Sequence, residues 1–195
     1  MPAPPVVTKP VSPKAAPAPV RRKPAPERPS VGDTASIHFA GSAYALGYKG
    51  ESDGGAVRQY YPAGESAVNW ARVIELRVYP AAGKKISPAE YAEQLAKTAQ
   101  AANPYLKYVL ETNRAQGTAL LYFTTWNDAT LEAHYNEFDV YKLIPGRKDG
   151  DLIGFHYVEK LYVDLNISTE ANRDKIGAEK QLVLHDMAKV PLYQE

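Results

Sequence analysis

Two apolar-alternating runs dominate the chain, LEAHYNEFDVYKLI from Leu131 to Ile144 and LIGFHYVEKLYV from Leu152 to Val163. Both are dense in β-branched and aromatic residues, which favour strands. Between them stand Pro145, which cannot donate to a ladder, and Asp149-Gly150, which tolerates the left-handed backbone of a tight reversal. The pattern predicts a long β-hairpin. A turn centred near Lys148 sets Phe138 opposite Val158 and Val140 opposite His156 on one face. Tyr135, Asp139, Tyr141, Phe155 and Tyr157 then share the other. Both faces are too apolar for a sheet with one side in water, so helices or a second layer are expected to cover each.

The rest of the chain supplies those elements. Residues 36–49 and 56–61 read as a second hairpin, with Gly41 and Gly47 marking a bulge or a close backbone approach in its first strand. In ARVIELRVYP, Val73, Glu75, Arg77 and Tyr79 alternate with Ile74, Leu76 and Val78, the mark of a half-buried strand. Ser87-Pro88-Ala89-Glu90 offers a capping hydroxyl, a proline at the first helical position and a Glu three residues after the cap. The helix it starts should stop at Asn103-Pro104, with Ala92, Leu95, Ala96, Ala99 and Ala102 as a narrow small-residue stripe. YLKYVLETNR, a turn at Ala115-Gln116-Gly117 and TALLYFTTW predict a third hairpin. A final helix over Thr169–Lys189 carries Ile176, Val183 and Met187 on one stripe. The expected class is α+β, about seven mostly antiparallel strands with two helices packed on the sheet. No βαβ alternation or internal repeat is present.

Composition changes the picture at the N-terminus. Ten of the sixteen prolines fall within residues 1–30, which hold six cations and one anion. That stretch carries +5, so against a total of +1 the remainder carries −4. Such a chain buries too little apolar surface to offset its ordering entropy. Residues 1–33 are therefore expected to be a disordered proline-rich basic arm, and 34–195 a single α+β globular domain. In polyproline II the arm would reach about 90 Å. It fits a passive spacer, an extended segment docking on a partner, or a basic patch at Val20-Arg21-Arg22-Lys23 drawn to anionic polymer or lipid. Six dispersed cations are weak for nucleic acid, so no nucleic-acid partner is expected. No apolar run approaches the roughly 18 residues of a membrane span, so no transmembrane segment is expected. The start has no continuous apolar secretory core. The expected location is periplasmic or envelope-associated if a signal has been removed, and otherwise cytoplasmic. The absence of cysteine excludes disulfides, thiolate metal sites, Cys nucleophiles and a lipidated N-terminal Cys.

Candidate chemistry is sparse. His38, His134, His156 and His185 are the groups that titrate near neutrality. His134 and His156, in paired strands, could join Glu132, Asp139 or Glu159 around a metal, but no HxH, HExxH or clustered-carboxylate motif supports this. There is no Gly-x-Ser-x-Gly elbow, and Gly50-Glu51-Ser52-Asp53-Gly54-Gly55 is a turn and not a phosphate loop. No catalytic residue, metal or cofactor is expected. Glu65 is either a binding carboxylate beside Trp70 or a brace that bonds backbone amides and fixes its turn. Fourteen tyrosines, in clusters such as Tyr44, Tyr48, Tyr60, Tyr61 and Tyr135, Tyr141, Tyr157, could line a groove or interface, or simply follow the strand preference of aromatic residues. The binding candidates are Glu65, Trp70, Tyr135, Tyr141, Tyr157 and His156.

The stretch Tyr61-Pro62-Ala63-Gly64-Glu65-Ser66-Ala67-Val68-Asn69-Trp70, followed by a strand, an Ala-rich helix, two hairpins and a terminal helix, resembles bacterial envelope proteins of the Mog1/PsbP-like fold. In those a Gly-Glu-x-x-x-Asn-Trp type of turn introduces a strand of the central sheet. The resemblance spans residues 36–189 in element order. It implies a Mog1/PsbP-like sandwich and a non-catalytic binding or assembly role, with no catalytic residues to carry over. The expected function is a non-enzymatic interaction or structural module, tethered by its arm to a bacterial envelope or secretion assembly of other protein subunits. Two alternatives stay open. One is a small-ligand-binding domain with a Tyr- and Trp-lined pocket, and the other a hydrolase with a His and a carboxylate or Ser within hydrogen-bond reach in a cleft.

Overall fold

A computed structural model describes residues 35–52, 55–80, 86–126, 132–146 and 151–190. The expected arm and the turn at 147–150 lie outside the described residues. At the centre β7 (Tyr135–Pro145) pairs antiparallel with β8 (Leu152–Tyr162). The ladder's midpoint falls between Lys148 and Asp149, because Pro145 pairs with Leu152 and not with Asp151. This small shift corrects the expected register, since Phe138 faces Glu159, Val140 faces Tyr157 and Tyr141 faces His156. Side chains alternate along a strand, so a one-residue change of partner regroups both faces. Phe155 and Tyr157 join Phe138 and Val140, while His156 joins Tyr135, Asp139 and Tyr141. His134 is not in the strand as expected. It sits just before it at φ 56, and its carbonyl accepts the Val163 N–H at 2.7 Å, tying the open end of the hairpin.

β4 (Arg72–Tyr79) pairs along the other side of β8. Beyond β4 lie β3 (Gly55–Pro62), β2 (Ser42–Ser52) and β1 (Ser36–Phe39). Beyond β7 lie β6 (Thr118–Thr125) and β5 (Tyr108–Asn113). The order is β1-β2-β3-β4-β8-β7-β6-β5 with every pairing antiparallel, so two four-stranded meanders meet at β4 and β8. Among the described residues there are eight strands and not about seven, because the run expected as one strand over 36–49 reverses at Ala40 (φ 46) and Gly41 (φ 73). Positive φ at both central residues is what a two-residue hairpin turn of matching twist requires. Gly47 does mark a bulge, where the register slips between Leu46 and Tyr48. The Tyr61 ring lies over it, so close that a Cβ would meet Cδ2 at 2.6 Å.

The bulge and the short β1 let the sheet curl. Phe39, on the edge strand β1, packs on Phe155 at 5.4 Å and Tyr157 at 4.9 Å between ring centroids, although three strands separate β1 from β8. The concave face so formed buries Ile37, Tyr44, Tyr60, Ile74, Leu76, Phe138, Val140 and Leu161. Helix α2 (Thr169–Lys189) closes it with the expected stripe: Val183 and Met187 are buried and Ile176 packs beside them. Polar ties fix both ends of α2. Asn172 bonds the backbone N–H and C=O of Asp164, while Lys142 donates to the carbonyls of Met187, Ala188 and Val190 at 3.1, 3.2 and 2.8 Å. Asp186 accepts the Ala40 N–H in the β1–β2 turn at 3.0 Å.

Helix α1 (Pro88–Ala102) packs on the other face, over β5, β6 and β7. Its N-terminus is the predicted capping box, with Ser87 and Glu90 exchanging side-chain and backbone bonds. Ala92 and Ala96 are fully buried against a cluster including Leu106, Leu121, Phe123 and Leu143, so the small side chains allow the close approach the stripe foretold. Tyr79, at the end of β4, lies over Gly154 and meets Tyr91 of α1 at 4.8 Å. A Cβ at Gly154 would stand 2.7 Å from Tyr79 Cε2 and 3.3 Å from Leu143 Cδ2. Gly154→Ala should therefore cost about 1–3 kcal/mol by forcing this ring aside. Denaturant unfolding checks this, and a variant as stable as the parent would show that Tyr79 does not depend on the glycine.

Candidate functional site

The Gly64–Trp70 turn comes first because it aims a candidate residue. Glu65 Oε2 accepts the N–H groups of Ala71 at 2.6 Å and Arg72 at 2.8 Å, and Oε1 sits 3.5 Å from the Arg72 guanidinium. Asn69 donates to the Gly64 carbonyl at 3.2 Å and takes the Ser66 hydroxyl at 2.6 Å. Of the two readings of Glu65, the geometry is that of the brace. Ala71 O in turn accepts the Lys160 N–H at 2.8 Å, which continues the β4–β8 ladder past Arg72. The braced turn thus sets Trp70 over Lys160, whose ammonium lies 4.2 Å from the Trp70 ring centroid and 5.2 Å from that of Tyr135. Tyr162 completes the aromatic corner 5.3 Å from Tyr135. Trp70 and Tyr135 are half-buried.

The same convex face carries a row of polar side chains across four strands. Gln59 pairs with Glu75, Glu75 with His156 and His156 with Tyr141. Tyr61 donates to Gln59 Oε1 at 2.7 Å, and Gln59 Nε2 donates to Glu75 Oε2 at 2.9 Å. Arg77 Nε lies 3.6 Å from Glu75 Oε1. His156 bonds Asp139 through Nε2 at 3.0 Å and stacks on Tyr141 at 3.7 Å and 9° between planes. The Glu75, Arg77, His156 and Asp139 side chains keep 19, 24, 16 and 12% of their surface, so the row is ordered yet in touch with solvent.

The electrostatics follow from this half-burial. Burial, then the neighbouring Asp139 carboxylate, pushes the Tyr141 hydroxyl above the ordinary phenol range. Burial does the same for Tyr79, helped by Tyr91 and Glu75, and for Tyr61, helped by Glu75. All three therefore keep their protons at neutral pH as O–H donors. Glu137 is raised by burial and by Asp139, with Lys160 opposing. The face mixes both signs of charge with rings and hydroxyls, which suits recognition of a mixed surface better than of a polyanion.

Of the six sequence candidates, Trp70, Tyr135, Tyr141 and His156 fall on this convex face. Tyr157 does not. The register correction turns it to the concave face, where it is 1% exposed and its hydroxyl meets that of Tyr44 at 3.5 Å. Tyr44 and Tyr60 are also fully buried, so these tyrosines serve the core as cross-strand aromatics. Gln59, Glu75, Arg77 and Lys160 were missed as site residues, since each reads in sequence only as the polar half of an alternating strand. Among the described residues no group of three His, Asp or Glu side chains is placed to hold a metal. None of the described helices is long and apolar enough to cross a membrane.

The class these observations define is an α+β protein built on one curled, all-antiparallel eight-stranded sheet with a helix on each face. A protein-family model matches residues 32–192, and the chain belongs to that family. No curated protein and no solved structure matches the chain.

Two outcomes test these assignments, one on each face of the sheet. Replacing Glu65 with Ala removes two charge-assisted backbone bonds and should cost about 2–4 kcal/mol in denaturant unfolding. It should also quench or shift Trp70 fluorescence as the indole leaves Lys160, and a normal emission spectrum would contradict the assigned role. The second concerns Glu159 on the concave face, raised mainly by burial despite its hydrogen bond to Tyr157 and the nearby Arg72. Between the ordinary carboxylate pKa and this raised value the native state binds more protons than the unfolded chain, so stability falls as pH rises through that window. Glu159→Gln should flatten this decline in unfolding free energy measured from pH 4 to pH 8, and a slope equal to the parent's would reject the assignment.

Proposed function

We propose that the chain is a non-enzymatic binding module whose contact surface is the half of the convex face left beside α1. The observation that carries this is the preorganised row Tyr61–Gln59–Glu75–His156–Asp139, flanked by Arg77 and the Trp70–Lys160–Tyr135 corner. Ordered tyrosine, tryptophan and arginine side chains supply contact area at small entropic cost, and they dominate protein–protein contacts. The occupant is another protein, because charges of both signs alternate here with rings. The proline-rich arm is read as its tether to a larger bacterial envelope or secretion assembly. The element order and the Gly-Glu-Ser-Ala-Val-Asn-Trp turn support a Mog1/PsbP-like relationship.

The Asp139–His156 pair is the arrangement a general base uses, and it favours a hydrolytic reading. Against that reading, the described convex-face positions of β3, β4, β7 and β8 carry no Ser or Thr nucleophile, and Tyr141 covers one face of the imidazole.

The test is photo-cross-linking in the producing cell. A reactive amino acid replaces Val73 on this face or Lys175 on the exposed side of α2. A discrete protein adduct at 73, absent at 175 and lost on Arg77→Gln, is expected. No adduct at 73, or one that survives Arg77→Gln in a normally folded protein, overturns the proposal. A thermal upshift in protein-free filtrate without any adduct would point instead to a small ligand.

A further inference from the structure

Strand β5 forms one edge of the described sheet. β5 ends the order, opposite the short β1, and its six residues pair only with β6 among the described strands. An edge strand presents a row of backbone N–H and C=O groups on its outer side, and natural proteins blunt such edges with proline, bulges, charged side chains or a covering element. The described β5, Tyr-Val-Leu-Glu-Thr-Asn, has no proline and no register slip against β6. Val109, its second residue, is exposed and apolar and keeps 44% of its surface. Tyr108 and Leu110 on either side are half-buried against the cluster beneath α1.

The charges follow a self-complementary order. Lys107, just before the strand, and Glu111 lie two residues to either side of Val109, and both are exposed. If two copies of β5 pair antiparallel about a two-fold axis through Val109, Lys107 of each falls opposite Glu111 of the other, and Tyr108 falls opposite Leu110. Such a two-fold interface repeats every favourable pair. Directly opposed unlike charges and aromatic–aliphatic pairs stabilise antiparallel neighbours, whereas like charges there destabilise them. The pairing would also join the two apolar clusters beneath α1 side by side.

We propose that the protein associates through β5 into a two-fold dimer with a continuous sheet, in register about Val109. This surface lies at the far edge from Gln59 and Glu75, so it leaves the proposed contact face free in both copies.

The test is a charge swap in the full-length chain. Light scattering across a concentration series should show a monomer–dimer equilibrium for the parent. Lys107→Glu or Glu111→Lys alone places like charges opposite one another twice per dimer and should raise the dissociation constant about tenfold or more. The double variant Lys107→Glu with Glu111→Lys restores unlike pairs and should recover most of the parent affinity. Far-ultraviolet circular dichroism and melting temperature confirm that each variant is folded. A parent that stays monomeric throughout, a dimer indifferent to the single reversals, or a double variant as weak as the single ones each overturns the proposal.

Discussion

The contact on which the fold depends is Phe39 against Phe155 and Tyr157. Residues on the first strand of a flat sheet in this order would lie well over 10 Å from the fifth, given about 4.8 Å between neighbouring strands. Bringing them to ring contact requires the sheet to curl, and each local feature of the first three strands serves that end. Ala40 and Gly41 turn the chain tightly, Gly47 takes the bulge, and Tyr61 fills the space over Gly47 that a side chain would have claimed. The curl gives the concave face enough enclosure for one helix to complete its core.

That helix is weakly amphipathic, because Ile176, Val183, Leu184 and Met187 are spread along a surface otherwise rich in charge. Its orientation is set as much by hydrogen bonds as by burial. Lys142 reaches out of β7 to the carbonyls that end α2, where a cation also meets the negative end of the helix dipole. Burial lowers the lysine's proton affinity. Asp186 holds the β1–β2 turn from the same helix end, so the helix pins both meanders and keeps the curl closed. On the opposite face Asn103, at the C-cap of α1, donates to the Trp126 carbonyl at 3.1 Å, while Ala92 and Ala96 let the helix backbone settle directly on Leu121 and Leu143.

Local rules carried most of the fold. The capping box at Ser87 and Glu90, the stop at Asn103, the stripe on α2, the alternation in β4 and the bulge at Gly47 are each set by a few adjacent residues, and each appears where the pattern placed it. What local pattern does not determine is parity. Whether the central ladder pivots on Lys148 or between Lys148 and Asp149 depends on which apolar set the rest of the protein buries, and no residue in the turn encodes that. The consequence fell on function, because parity separates His156 from Tyr157 and assigns one to the surface and the other to the core.

The same reasoning explains why the polar row was hidden. Gln59, Glu75 and His156 come from strands separated in sequence by as many as eighty residues and more, and each alone is an ordinary outward position of an alternating strand. They become a surface only when antiparallel register stacks them side by side. Solvation alone would leave such side chains free to sample many rotamers. Here each is held by a hydrogen bond or ring contact to its neighbour on the next strand, and fixing them costs side-chain entropy that exposed bonds of this kind barely return. An outer face that serves only to be wet has no need of that expense, whereas a face that meets a partner recovers it by having less to immobilise on binding.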